Sequence, residues 1–270
     1  MVDDLDIEIY CDGADLESMA ALAGNVVGFT TNPSLVRKAG ITNYREFAEK
    51  AITIVGSKPI SFEVFSDDFA GMAREAREIA SWGKNVYVKI PITNTKGEST
   101  APLIETLASD GIKVNVTAIL TREQSAIAVT ALDGAPGIVS IFAGRIADTG
   151  IDPAPVVREA RRYLNPRIRL IWASTREVLN IGQAEAAGCD IITASPGIIA
   201  KLGMRGRDLD EFITDWADKY TTFVLRGVPP PVCGDTLSGT PLPAADLDRA
   251  RYASEYTPPT RVTVHSHYAG

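Results

Sequence analysis

Eight short apolar runs, each followed by a longer amphipathic segment, set the strongest limit on what this chain can fold into. The runs occupy residues 6–11, 26–30, 59–65, 86–92, 114–120, 138–143, 169–173 and 190–194. The segments between and after them, 16–22, 43–55, 67–82, 100–109, 121–132, 153–163, 175–187 and 208–224, read as helices. Near-continuous apolar runs of this length are what strands buried on both faces look like, and such strands belong to parallel sheets. Strand and helix alternating eight times within 270 residues points to a (β/α)8 barrel over residues 1–226. A doubly wound sheet is the alternative, but it fits less well. "CDGADL" after the first run is no G-x-G-x-x-G, and no G-x-x-x-x-G-K-[ST] loop occurs. Punctuation agrees with the reading. Ser66 is an expected N-cap for the third helix, Asp152 caps a helix opening at Pro153, and Gly111 and Gly188 stand where helices end. Residues 227–270 differ, holding seven of the sixteen prolines. They read as an irregular tail with one short helix over 244–252, which packs on the barrel, wraps a neighbouring subunit or stays mobile.

Charge and inventory narrow the function. The net charge is −7, without a basic run, so neither nucleic acid nor an anionic membrane is expected as a partner. No run reaches the roughly 18 apolar residues of a membrane helix, and "MVDDLDIEIY" has no signal-peptide pattern. Three scattered cysteines, Cys11, Cys189 and Cys233, suit a reducing cytoplasmic setting. The two histidines, His265 and His267, lie at the C-terminus, which argues against a histidine-based metal centre or a Ser–His–Asp triad in the core. No metal or other cofactor is expected.

"NVYVKIPIT" at 85–93 then poses a question, because lysine is almost never buried without a partner. Period-two alternation sorts the runs into two faces. Ile7, Ile9 and Cys11 oppose Glu8, Tyr10 and Asp12; Phe62 and Val64 oppose Ser61, Glu63 and Phe65. Val114 and Val116 oppose Asn115 and Thr117, and Val139 and Ile141 oppose Ser140 and Phe142. Ser174 shares a face with Trp172. One face is apolar and suits the helices. The other collects Asp12, Glu63, Lys89, Asn115, Thr117, Ser140 and Ser174, each towards the C-terminal end of its run, where barrel enzymes carry their sites. Any one of these could be a filler ion pair, but seven from six strands are costly to bury without a use. Apolar surroundings disfavour an amine's charge, and a neutral amine attacks carbonyls to form an imine. Nearby carboxylates can then move protons. The chemistry implied is making or breaking a C–C bond beside a ketone.

These residues also carry a family resemblance. The strings "IYCDGAD" (9–15), "GFTTNPSLV" (28–36), "SFEV" (61–64), "VKIPIT" (88–93), "GIKVNVTAIL" (111–120), "SIFAGRIAD" (140–148) and "WASTRE" (172–177) resemble the transaldolases. The likeness is to their short branch, which includes the fructose-6-phosphate aldolase-like members. It implies that Lys89 forms the Schiff base and that Asp12 handles the proton of the ketose C4 hydroxyl. It implies that Glu63, with Thr117 and a water, shuttles protons during dehydration. Thr31, Asn32, Asn115 and Ser140 would hold the dihydroxyacetone unit, and Arg145, Ser174 and Arg176 would grip phosphate. In free aldolases of the family the carboxylate is a glutamine and the aromatic a tyrosine; Glu63 and Phe142 resemble the transferase state. The resemblance implies sugar-phosphate substrates, the pentose phosphate pathway and a homo-oligomer. Release of free dihydroxyacetone, or binding of a phosphosugar without catalysis, are the alternatives. A deoxyribose-phosphate-type aldolase would need a lysine on the sixth strand, and "SIFAGRI" has none. Thr175, the Lys96–Gly97–Glu98 insertion and the tail depart from the pattern, leaving the acceptor open between erythrose 4-phosphate and another sugar aldehyde.

Overall fold

A computed structural model describes residues 5–132, 134–210 and 213. The chain divides into two units, Met1–Gly206 and Arg207–Gly270. The second lies almost wholly outside the described residues, as do the expected boundary at 226, the helix over 208–224, the tail and both histidines.

The first unit is a (β/α)8 barrel. Its elements run β1 Glu8–Asp12, α1 Leu16–Leu22, β2 Gly28–Thr30, α2 Pro33–Lys38, α3 Tyr44–Val55, β3 Ile60–Glu63, α4 Phe69–Ala80 and β4 Val86–Pro91. Then follow α5 Ala101–Ser109, β5 Val114–Ile119, α6 Arg122–Leu132, β6 Gly137–Ile141, α7 Ala143–Ala147, α8 Ala154–Tyr163, β7 Ile168–Trp172, α9 Leu179–Ala186, β8 Ile191–Ala194 and α10 Pro196–Ile199. The eight strands pair in parallel in chain order, and β8 closes on β1. All eight expected strands are present, with ends shifted by a few residues at most. The short helices α2, α7 and α10 were not legible, since four to six residues cannot show a helical period.

Local chemistry explains the helix starts. Asp15, Asn32, Asn43 and Asp68 each accept a hydrogen bond from the backbone three residues on. The cap of α4 is therefore Asp68 and not Ser66. Ser66 is instead held by the Glu75 carboxylate, which also accepts from the Phe65 and Ser66 amides at 2.6 and 2.9 Å. Gly111 and Gly188 end α5 and α9 at φ +78° and +84°, a left-handed turn that suits glycine.

The two-face sorting holds through most of the barrel. Ile7, Ile9, Cys11, Phe62, Val88, Ile90, Val114, Val116, Val139 and Ile141 join the core between strands and helices. Tyr10, Ile138, Ile171, Ala173 and Ile191 form a separate interior cluster, with Tyr87 and Phe142 against it. Gly28 on β2 has to be a glycine, because an added Cβ would lie 2.4 Å from the Tyr10 ring. Below this layer Glu8 and Arg169 pair through two contacts of 2.9 Å. Two residues depart from the sorting. Trp172 packs with the helix-facing core, so it does not share a face with Ser174. Phe65 is 52% exposed and sets its ring edge-on to Tyr44, outside the barrel.

Candidate active site

Strand register puts the charged residues side by side. Glu63 is paired with Lys89 across β3 and β4, and Lys89 with Asn115 across β4 and β5. Paired residues on neighbouring parallel strands face the same way, so Glu63 and Lys89 meet inside the mouth. The Lys89 Nζ lies 2.9 Å from Glu63 Oε2, with side chains only 7% and 13% exposed. It also donates to the Thr31 carbonyl oxygen at 2.8 Å. Burying two charges costs several kcal/mol per ion, offset here by their contact and the added hydrogen bond. The amine thus rests between a carboxylate and a backbone carbonyl oxygen.

Asp12 ends β1, beside Thr30 at the end of β2. Thr30 Oγ1 lies 2.7 Å from Asp12 Oδ1 and 2.6 Å from Thr193 Oγ1. Burial raises the Asp12 pKa above the ordinary 3.8, against the opposing pull of Lys89 and the Thr30 hydrogen bond. Ionised Asp12 therefore costs the folded state. Its stabilising contribution is full below 3.8 and is lost as pH rises through the raised value. Asp12→Asn should raise the melting temperature at pH 7 and lose that advantage on acidification. Melting curves at two pH values check both halves.

A cavity of about 280 Å³ opens above these groups, lined by Asp12, Thr30, Asn32, Glu63, Lys89, Thr117, Ser140, Phe142, Arg145, Ser174 and Thr193, among others. Ten of the twelve anticipated site residues thus need no change of neighbourhood or only a small one; nine line the cavity and Asn115 lies beside it. Asn115 bridges Ser61 and Ser140, donating to one hydroxyl at 3.1 Å and accepting from the other at 2.7 Å. Asn32 caps α2 through its Oδ1. Thr117 Oγ1 is buried and has no hydrogen-bond partner, an orphan that costs about 1–3 kcal/mol where a ligand or water does not satisfy it.

Two backbone outliers shape the rim. Ala118 has φ +58° where β5 shifts register against β6, and Ser174 has φ +65° just beyond β7. Such conformations cost about 1–3 kcal/mol in a residue other than glycine and concentrate at sites. Ser174 reaches the cavity through this turn rather than through strand alternation.

Thr31 and Arg176 are placed elsewhere. The Thr31 hydroxyl donates to the Ser61 carbonyl at 3.1 Å, and its own carbonyl serves Lys89. Arg176 forks onto Asp148 at 2.5 and 3.0 Å, away from the cavity lining. Thr30 and Thr193 were not anticipated, although each follows two residues after an inward neighbour, Gly28 and Ile191. Thr175, one of the departures from the family pattern, donates its hydroxyl to the Thr193 carbonyl at 2.7 Å. Among the described residues, no three His, Cys, Asp or Glu side chains are grouped to hold a metal ion. None of the described helices is long and apolar enough to cross a membrane.

Comparisons with known proteins meet this geometry. The family model for "Transaldolase/Fructose-6-phosphate aldolase" matches residues 9–223. The chain is 34% identical over 218 residues to a "Probable transaldolase" of Carboxydothermus hydrogenoformans, covering 78% of this chain and 98% of that protein. It is 36% identical over 219 residues to a "Probable transaldolase" of Roseiflexus castenholzii, covering 78% and 97%. A "Probable transaldolase" of Nitrosopumilus maritimus is 32% identical over 219 residues, covering 78% and 95%. A match across most of the barrel, together with a lysine and two carboxylates converging at its mouth, leads to one conclusion: the chain belongs to the transaldolase/fructose-6-phosphate aldolase family.

Proposed function

We propose that the protein is a Schiff-base transaldolase that moves a dihydroxyacetone unit from a ketose phosphate to an aldose acceptor. The observation that carries this reading is the Lys89 amine, 2.9 Å from Glu63, in a cavity that Asp12 also lines. Glu63 takes the ammonium proton, and the freed Nζ adds to the ketone carbon. Dehydration of the carbinolamine needs a proton for the departing hydroxyl, and Glu63 returns it through a water held at the unpaired Thr117 hydroxyl. Asp12 then accepts the C4 hydroxyl proton while the C3–C4 bond breaks. The electron pair passes to the imine, which becomes an enamine. The acceptor aldehyde takes the place of the departing one, the enamine attacks it, and Asp12 gives its proton to the new alkoxide. Hydrolysis of the product imine regenerates Lys89.

Transfer over release follows from the residues beside the enamine. Phe142 puts a hydrocarbon edge where a phenol could protonate the enamine carbon. The enamine then waits for an aldehyde. Borohydride trapping with fructose 6-phosphate, read by intact mass and peptide mapping, tests the imine. An adduct on Lys89 supports the reading, and no adduct at saturating donor overturns it. Dihydroxyacetone freed without an acceptor would make the protein an aldolase.

Phosphate recognition is assigned to Arg145 and Ser174, which line the cavity. Losing charge-assisted hydrogen bonds of this kind costs about 1.5–3 kcal/mol. Arg145→Ala should therefore raise KM for a phosphorylated donor by about 10- to 100-fold. Arg176→Ala breaks only an exposed ion pair with Asp148 and should leave KM within about twofold. Steady-state kinetics on the two variants separates the two arginines.

A further inference from the structure

We infer that Tyr44 is a positioning residue for the Schiff-base lysine: its phenol replaces a missing rung of the β2–β3 ladder and so leaves the Thr31 carbonyl free to hold Lys89. The inference rests on the Schiff-base reading above.

The ladder itself shows the gap. The Phe29 amide donates to the Pro59 carbonyl at 2.8 Å, and the Thr31 amide to the Ser61 carbonyl at 3.0 Å. In a parallel pair each residue on one strand bonds to two residues flanking its partner, so the next rung would run from the Glu63 amide to the Thr31 carbonyl. It does not form. β2 stops at Thr30, and the chain turns into α2 at its cap Asn32. A buried backbone amide still needs an acceptor. The Glu63 amide finds one in the Tyr44 phenol oxygen at 3.1 Å, and the phenol donates back to the Glu63 carbonyl at 3.3 Å. One side chain from α3 thus satisfies both backbone groups of the residue whose carboxylate contacts Lys89. The Thr31 hydroxyl is a further hydrogen-bond neighbour of the phenol. The Thr31 carbonyl, released from the ladder, accepts from Lys89 Nζ at 2.8 Å.

The phenol is held firmly. The Tyr44 ring meets Phe62 and Trp82 edge-on at 5.9 and 5.4 Å and stacks with Phe47 at 6.3 Å. Burial pushes its pKa far above the tyrosine range, so the oxygen stays protonated and can donate and accept at once. Both groups that fix the Lys89 nitrogen, the Glu63 carboxylate and the Thr31 carbonyl, are therefore set by one oxygen atom.

Tyr44→Phe keeps the ring and removes that oxygen. The Glu63 amide then turns to the Thr31 carbonyl and withdraws it from Lys89. Single-turnover imine formation with fructose 6-phosphate, trapped by borohydride, should slow about 10- to 100-fold, while KM for the donor stays within about twofold. Trp82→Phe disturbs the same aromatic cluster without touching Glu63; it should lower the melting temperature and leave the trapping rate unchanged. Equal trapping rates for wild type and Tyr44→Phe overturn the inference alone. Equal slowing by Trp82→Phe, or a Tyr44→Phe chain that does not fold, makes the phenol structural and overturns it too. A wild-type chain that borohydride does not trap overturns the Schiff-base reading, and the role of Tyr44 with it.

Discussion

Lys89→Met should lose ketose-phosphate turnover by at least about 10⁴-fold, or roughly 5.5 kcal/mol of transition-state stabilisation, and should yield no borohydride adduct. Methionine fills nearly the same volume within β4, so the strand and its register survive. What disappears is the nitrogen proposed to become covalent. Asp12, Thr117 and Arg145 still line the cavity, but none of them offers an electron sink for a breaking C–C bond. The loss should therefore fall on kcat, with KM for the donor moving far less. Stability should fall as well. The substitution leaves the Glu63 carboxylate and the Thr31 carbonyl without the donor each now has at 2.9 and 2.8 Å. Removing one partner of a buried pair costs about 3–5 kcal/mol. Lys113→Met, outside the cavity, is the control and should trap donor like the wild type. Residual activity above about 0.01 per cent in Lys89→Met, or an adduct on another lysine, would remove Lys89 from its role.

The charged centre was legible because it follows from one rule applied twice. Alternation placed Glu63 and Lys89 on the inward face of their own strands, and adjacent parallel strands with matched C-terminal ends bring inward residues together. Where alternation stops, so did legibility. Ser174 lies past the end of β7 in a left-handed turn, and no period-two count predicts the direction of such a residue. Counting through it also turned Trp172 to the wrong face. Phe65 lies two residues beyond β3, where the Glu75 carboxylate captures its amide and carries the ring outwards. Arg176 was assigned by resemblance alone. The local contest between a ligand phosphate and a neighbouring carboxylate, Asp148, 28 residues away in the chain, leaves no mark on either segment. Tyr44 was hidden for a related reason. It looks like one aromatic on the buried stripe of α3, and only the end of β2 gives its oxygen something to do.

Gly144→Ala tests how tightly the rim is built, and it should be the most damaging single-methyl change near the site. Gly144 lies in α7, just after β6, and its amide donates to the Ala173 carbonyl at 3.2 Å. A Cβ on Gly144 would lie 1.7 Å from the Ser174 carbonyl oxygen and 2.7 Å from the carbon that bears it. Both are backbone atoms, so no rotamer change relieves the overlap; α7 or the turn after β7 must move by more than an ångström. Neither moves cheaply. Ser174 is already held at φ +65°, and the Ala173 amide is tied to the Ile141 carbonyl at 2.8 Å. Overpacking of a rigid contact typically costs about 1–3 kcal/mol and occasionally more, and a backbone clash belongs at the upper end. For a domain of this size that corresponds to a fall of roughly 6–12 °C in melting temperature. The displaced atoms belong to Ser174 and, one residue along α7, to Arg145, the two side chains assigned to phosphate. A shift of about an ångström in a positioning group can cost about 100-fold in rate. The variant should thus lose affinity for phosphorylated donor more than for free dihydroxyacetone, which the proposed mechanism places at Lys89, Asp12 and Ser140. Equal loss on both donors would mean that the barrel as a whole had loosened. An unchanged KM for the phosphorylated donor in a folded Gly144→Ala chain would show that the β6 and β7 ends do not form the phosphate site.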